Sequence, residues 1–399
     1  MSTCSRHQNT RAAPLLVDGI GRREFAAMAA ASSLGLLSNE GCSMSENSAG
    51  SSANKVDQEL QKLVDAHWVP GLAAARVTTE GVVSQGCAGL RKRKSTEKIQ
   101  PKDRFHLGSN TKSMTATLAA ILVQEKKLSW HTTIAEVLQS KRYEVDEKFG
   151  KATLKQLLSH RAGLQQITGT EPEWAKLVEE SRESAEKARE NYVRAFLKRP
   201  PNYELGSKFE YSNEGFMIAG HMLEVIMGKS WETLMREHLF GPLEMKSAGF
   251  GAPGTKEQID EPRGHTGWWK SIEPGPDADN PAGLGPAGTV HASLEDWGKF
   301  IAYILRAAQG KEERLDKTHF EVMTTPPDKL EEYALGWCTA ERDWAGGKAI
   351  WHNGSNTMWY ALAWLAPHKG FAAIAACNQM SSWATTACDE AIGVMIKEA

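Results

Sequence analysis

Short apolar runs of strand type lie at the two ends of this chain and are nearly missing between them. Near the start, residues 72–78 and 82–88 flank Thr79-Glu80-Gly81, a hairpin signal. Near the end, strand-like runs return at 333–339, 348–352, 358–366 and 371–378. The middle reads as helices at 109–127, 153–159, 173–197, 213–227 and 231–240, followed by a Gly- and Pro-dense stretch at 251–288. An amphipathic helix at 55–67, with Leu60, Leu63 and Val64 on one face, opens the pattern, and a helix at 384–397 closes it. The pattern predicts an α/β (α+β) fold: one sheet built from both chain ends, about 55–108 and 320–399, carrying a mainly helical insertion at about 109–319.

The segment before residue 55 has a different character. Gly21-Arg22-Arg23-Glu24-Phe25 precedes a weakly apolar run at 26–37 that is too short to span a bilayer. It resembles a twin-arginine export signal, and the Ser-rich stretch 43–54 reads as a linker, so residues 1–54 are expected to direct export to the periplasm or cell envelope. Lipid anchoring at Cys42 is not favoured, because Asn39-Glu40-Gly41 lacks the aliphatic residue expected three positions before such a cysteine. No transmembrane segment is expected in the mature chain. The charge is nearly balanced, 47 basic against 49 acidic side chains, so nucleic acid is not an expected partner. Six scattered cysteines form no CxxC pair, and there is no HExxH; neither a metal nor another cofactor is implied.

Three motifs carry chemistry. Ser109-Asn110-Thr111-Lys112 opens an apolar helix, which places the lysine one turn beyond the serine on the same face. A serine hydroxyl is a weak nucleophile until a base takes its proton, and a desolvated lysine can be that base. Tyr211-Ser212-Asn213, leading into another apolar helix, offers a phenol for proton transfer and an amide for hydrogen bonding. His352-Asn353-Gly354-Ser355 opens a strand-rich stretch, where a glycine allows close backbone approach and an N–H can face an oxyanion.

In this order the motifs resemble those of the class C β-lactamase family, which includes D-Ala-D-Ala carboxypeptidases and family VIII-type carboxylesterases. Supporting stretches are 157–160 with Gly163-Leu164, 240–243 with Met245, and Pro286-Ala287-Gly288; the resemblance runs from about residue 55 to 397. It implies a β-lactamase/transpeptidase-like fold with an antiparallel sheet. Ser109 would be the acylated nucleophile, Lys112 and Tyr211 would share acid and base work, and Asn213 would hold the substrate's amide. His352 and Gly354 would line the substrate, and the N–H groups of Ser109 and Ser355 would form the oxyanion hole. β-Lactamases usually carry Lys where this chain has His352, which predicts poor β-lactam hydrolysis. A D-Ala-D-Ala peptide, a β-lactam and a small carboxylic ester all stay open as the acyl substrate, as does oligomeric state. The alternative is a catalytically silent module that binds or senses cell-wall peptides.

Several look-alikes fail their context. Gly264-His265-Thr266-Gly267 also spells His-x-Gly, but it lies in the Pro/Gly-rich stretch. Glu171-Pro172-Glu173 reads as a helix start with Pro in its first turn rather than as a deacylating loop. The literal G-x-G-x-x-G at 283–288 follows no strand. His160 is expected to be structural, and Trp268, Trp269, Trp351 and Trp359 are candidate cleft-wall residues.

Overall fold

The computed structural model describes residues 48–165, 172–267, 270–328 and 332–397. The chain begins with helix α1 (Ser48–His67), the hairpin β1 (Gly71–Thr78) and β2 (Gly81–Gly89), and a short β3 (Arg104–His106). Helices α2 (Asn110–Gln124), α3 (Ile134–Leu138), α4 (Leu154–Leu158), α5 (Pro172–Glu180), α6 (Ala185–Phe196), α7 (Asn213–Met227) and α8 (Trp231–Met235) come after it. Next come β4 (Gly249–Phe250), β5 (Gly264–Thr266), β6 (Lys270–Ile272), β7 (Val290–Ser293), α9 (Leu294–Ala308) and α10 (Lys317–Met323). The last part holds β8 (Cys338–Arg342), β9 (Gly347–Ser355), β10 (Tyr360–Ala366), β11 (Phe371–Cys377) and α11 (Ser382–Lys397).

The main sheet has the order β2-β1-β11-β10-β9-β8, with every neighbouring pair antiparallel. Strand β11 joins the two chain ends, pairing with β1 on one side and β10 on the other. Side chains alternate across this sheet. Leu72 and Ala74 of β1, Tyr360, Leu362 and Trp364 of β10, and Phe371 and Ala373 of β11 share an outer core with Leu60 of α1 and Ile392 of α11. Ala73, Ala75, Val77, Ala363, Leu365 and Ile374 face the larger inner core. Trp351 and Trp364 stack on the outer face with ring centroids 5.1 Å apart, a contact of about 1 kcal/mol beyond area burial.

Helix α9 lies against this sheet. A Cβ at its Gly298 would meet Val82 at 2.4 Å and Val77 at 3.5 Å, and Arg306 Nη1 donates to the Thr79 carbonyl at 2.8 Å. The helical part is therefore narrower than the expected span 109–319. The single helix expected at 173–197 is two, because Ser184 breaks it as an N-cap whose side chain accepts from Lys187 N–H. The strand expected from 333 begins only at Cys338. Ahead of it, Gly336 takes φ +74° over α2, where a Cβ would lie 2.7 Å from the Lys112 carbonyl oxygen, and the chain turns so that Tyr333 only bridges Cys338. The stretch 251–288 is not wholly irregular, since β5 and β6 pair within it. A second small sheet, β3-β7-β4, delivers the chain to residue 106, just before the first motif.

Residues 1–47, with the Arg22-Arg23 pair and Cys42, lie outside the described residues, as do Glu171, Trp268 and Trp269. Cys87, Cys338, Cys377 and Cys388 are free thiols. Among the described residues no helix is long and apolar enough to cross a membrane.

Candidate active site

Ser109 is the residue on which helix α2 starts, and Lys112 sits on the following turn. The helix is buried almost throughout its length, so its polar side chains must find partners inside the protein. Thr111 Oγ1 accepts from Val290 N–H at 3.0 Å, and Thr115 Oγ1 donates to the Pro286 carbonyl at 2.8 Å. Lys112 is fully buried, with its Nζ 2.9 Å from Ser109 Oγ, 2.7 Å from Asn213 Oδ1 and 2.7 Å from the Ala287 carbonyl oxygen. Burial holds the Lys112 ammonium well below the usual lysine range, opposed in part by the charge of Glu214. A neutral amine has two protons and one lone pair. Two of its three neighbours are carbonyl oxygens that can only accept, so the lone pair is left for the Ser109 hydroxyl.

Tyr211 completes the group, donating to Ser109 Oγ at 2.9 Å. Burial raises the Tyr211 phenol above its ordinary value, against the lowering effect of its bond to Ser109, so it holds its proton. The Tyr211 loop is held by His160, as Glu210 N–H donates to the His160 carbonyl at 2.9 Å and Ser212 N–H to His160 Nδ1 at 3.1 Å. The His160 ring packs 4.3 Å from that of Tyr211 and 4.7 Å from that of Tyr333. Burial, then the neighbouring Lys112, keeps this imidazole well below its usual pKa. His160 is thus a neutral support beneath the phenol.

The third motif approaches through its backbone. His352 and Gly354 share one face of β9, opposite Ala363 and Ala361 of β10. A Cβ at Gly354 would lie 2.2 Å from the Leu107 carbonyl oxygen and 2.4 Å from Ser109 N, and one at Gly108 would lie 2.2 Å from Ser355 N. Only glycines permit two backbones this close, and the contact sets the Ser109 and Ser355 amides on adjoining chains. The His352 side chain turns away from the role of a cation facing substrate. It is 1% exposed; Nδ1–H donates to the Asn353 carbonyl at 2.5 Å and Nε2 accepts from Tyr333 O–H at 3.2 Å. Burial, then Lys112, lowers its pKa to about 3. A buried, neutral imidazole offers no charge to a substrate carboxylate.

The structure brings Ser109, Lys112, Tyr211 and Asn213 into one hydrogen-bonded group and sets Gly354 and Ser355 against it. Sequence reasoning missed Tyr333, read as the start of a strand, and the carbonyl of Ala287, which lay in a matched stretch without a role. Trp351 and Trp359 are buried and do not form a cleft wall; a Cβ at Gly264 would meet the Trp359 ring at 2.4 Å. His265 accepts from Arg93 N–H at 3.1 Å and bonds the Asn378 carbonyl at 2.8 Å, so its imidazole is structural. A cavity of about 620 Å³ adjoins the group, lined by Asn213, Thr289, Asp279, Asn356, Thr357 and Phe250 among others.

The family model described as "Beta-lactamase" matches residues 56–393. An unguisins hydrolase of Aspergillus campestris is 24% identical over 367 residues, covering 84% of this chain and 64% of that protein. The chain thus spans a little under two thirds of that relative's length. Among solved structures, an octameric penicillin-binding protein homologue from Pyrococcus abyssi aligns with a TM-score of 0.69 at 20% identity, covering 86% of this chain and 77% of that one. The D-alanine carboxypeptidase AmpC of Burkholderia cenocepacia aligns with a TM-score of 0.68 at 18% identity, over 88% of this chain and all (100%) of the other. Both likenesses are of fold.

Proposed function

The chain belongs to the β-lactamase family, and from that premise we propose that it is a serine hydrolase working through an acyl-serine intermediate formed on Ser109. The observation that carries this reading is the position of Ser109 Oγ, 2.9 Å from both Lys112 Nζ and Tyr211 Oη. In the proposed sequence the Ser109 hydroxyl passes its proton to the Lys112 lone pair as Oγ bonds to the substrate's carbonyl carbon. The carbonyl oxygen becomes an oxyanion beside the amides of Ser109 and Ser355. As the tetrahedral species collapses, the proton leaves Lys112 through the Tyr211 hydroxyl to the departing group. Water then enters, gives up its proton by the same route, and releases the acid and Ser109. Lys112 is the base and Tyr211 the donor, because burial lowers one pKa and raises the other.

The substrate is a carboxylic ester or an amide such as a D-alanyl peptide. The neutral, inward-facing His352 favours substrates that do not depend on a carboxylate held at the third motif. A silent binding module has no use for a lysine kept neutral against a serine, and we set that reading aside. Export through the Arg22-Arg23 signal, with cleavage before about residue 55, is part of the proposal; amino-terminal sequencing of secreted protein tests it. The acyl-serine reading itself is tested with a fluorophosphonate and a fluorescent penicillin, followed by mass spectrometry. A covalent adduct on the Ser109 peptide, lost in Ser109→Ala along with ester turnover, is expected. Labelling that persists in that variant overturns the assignment.

A further inference from the structure

The Asp279 side chain, 5% exposed, lies on the loop after β6 and reaches groups on both backbones that carry the candidate oxyanion amides. One of its oxygens accepts two hydrogen bonds and faces a third polar group, the imidazole of His106. Oδ1 accepts from Asn280 N–H at 2.7 Å and from Asn356 Nδ2 at 3.0 Å, and lies 2.7 Å from His106 Nε2, close though off the line of the ring N–H. His106 is fully buried, and its Nδ1 accepts from Gly108 N–H at 3.1 Å, which assigns the ring proton to Nε2, facing the carboxylate.

These partners adjoin the candidate oxyanion amides in the chain. Gly108 immediately precedes Ser109, and Asn356 is the residue after Ser355. Asn356 Oδ1 accepts from Met358 N–H and Trp359 N–H, both at 3.2 Å, closing the turn after β9. Within that turn Thr357 has φ +71°, a left-handed value that a β-branched residue rarely adopts, and its N–H donates to Ser355 Oγ at 2.8 Å. On the other side Asn280 Nδ2 donates to the Gly288 carbonyl at 3.0 Å, next to the Ala287 carbonyl that meets Lys112. A carboxylate oxygen can accept from both amide donors at once and still face the imidazole.

We propose that Asp279 is a positioning residue for the oxyanion hole, its Oδ1 tying the Gly108–Ser109 backbone, through His106, to the Ser355–Asn356 backbone. The inference rests on the acyl-serine reading above. Asp279 itself touches no reacting atom; it sets the spacing of two amides, one at the start of α2 and one at the end of β9. A buried carboxylate that only stabilises the fold would not need its partners to lie on both carriers of the hole.

The test compares the full-length wild type with Asp279→Asn, Asp279→Ala, His106→Ala and Asn356→Ala. Each is assayed on a p-nitrophenyl ester and its thionoester, with rates divided by the sites titrated with fluorophosphonate. Asp279→Ala is expected to lower kcat per titrated site by about 10–100-fold with KM within about threefold, the signature of transition-state donors. The preference for ester over thionoester should shrink at least about fivefold, because a loosened hole no longer excludes the longer C=S bond. Asp279→Asn keeps an acceptor oxygen and should lose less. His106→Ala and Asn356→Ala combined with Asp279→Ala should be non-additive. If only the titratable fraction or the melting temperature falls, while kcat per site and the ester preference hold, Asp279 is structural and the proposal is overturned. A loss that grows with positive charge on the substrate would place Asp279 in contact with substrate and overturn it too. Wild-type protein that never labels at Ser109 overturns the acyl-serine reading and this role together, whereas labelled protein with an indifferent Asp279→Ala overturns this role alone.

Discussion

The two walls that meet at Ser109 are built on different principles. On the helical wall, side chains do the work, with Lys112, Tyr211 and Asn213 all reaching the same few ångströms of space from α2, α7 and the turn before it. On the strand wall, β9 contributes backbone. Its one ionisable residue near the site, His352, points into the protein and is bonded to Tyr333, while glycine contacts bring the main chain of Ser355 beside Gly108. The difference shows that a motif can be recognisable by its letters while acting through atoms that every residue shares. It also orders the expected costs of mutation.

The largest effects should come from the helical wall. Lys112→Ala and Tyr211→Phe should each lower kcat/KM for a simple ester by about 10²–10⁴-fold, the range for a positioned acid or base. Combined, they should cost little more than either alone, since both serve one proton path through Ser109. Steady-state kinetics of the two single variants and the double variant check this. Additive losses would split the wall into independent groups.

The strand wall should show the reverse dependence on side chains. Ser355→Ala keeps the N–H and should cost less than about tenfold in kcat/KM. Gly354→Ala leaves every side-chain donor in place, yet its new Cβ would fall 2.2 Å from the Leu107 carbonyl oxygen and 2.4 Å from Ser109 N. Those are backbone atoms of the first motif that cannot step aside, so about 10²-fold or more of activity should go, with a stability loss beyond about 3 kcal/mol. Kinetics and denaturant midpoints on both variants would break the comparison if Ser355→Ala proved the costlier change.

Legibility in the sequence divides along the same line. The helical wall was legible because S-x-x-K and Y-x-N name the reacting side chains and their helical spacing fixes which face they share. The sheet was legible from its short apolar runs at the two chain ends, and β11 joins those ends as that pattern requires. The strand wall was legible only as a string. Nothing in His352-Asn353-Gly354 says that the imidazole turns inward, because that depends on Tyr333, which the turn at Gly336 folds back to bridge Cys338 instead of continuing as one strand. The role of Ala287 as a carbonyl partner for Lys112 was hidden because any residue has that carbonyl. One helix was divided and one domain limit moved for local reasons, the cap at Ser184 and the packing of α9 on β1 and β2.

Tyr333 lies between the walls, and its removal should give an intermediate result. Tyr333→Phe keeps the ring beside His160 and Tyr211 but takes the hydroxyl from His352 Nε2. A buried ring nitrogen left without its donor costs about 1–3 kcal/mol of stability, while kcat/KM should fall less than about fivefold. Thermal melts beside ester kinetics separate the two. A loss of activity equal to that of Tyr211→Phe would make Tyr333 part of the proton path.

The smallest effect expected is the most informative about substrate. With its pKa lowered to about 3, His352 is neutral throughout pH 5 to 9 and gives an anionic substrate no charge to recognise. The ratio of kcat/KM for an ester carrying a carboxylate to that for a neutral ester of similar size should therefore stay within about twofold across that range. Stability offers an independent check of the same pKa. An unfolded histidine takes its proton near pH 6.5, whereas His352 in the folded protein does so only near 3, so the unfolded chain binds more protons between those values. Its contribution to stability is whole above about pH 6.5 and is lost as pH falls toward 3, at no more than about 1.4 kcal/mol per pH unit. His160, lowered in the same direction, adds to that slope. In His352→Asn the fall in denaturant midpoint between pH 6.5 and 4 should become shallower, with the substrate ratio unmoved. A ratio that rises at low pH in the wild type and flattens in this variant would mean that His352 meets substrate as a cation, and the strand wall would then work through a side chain after all.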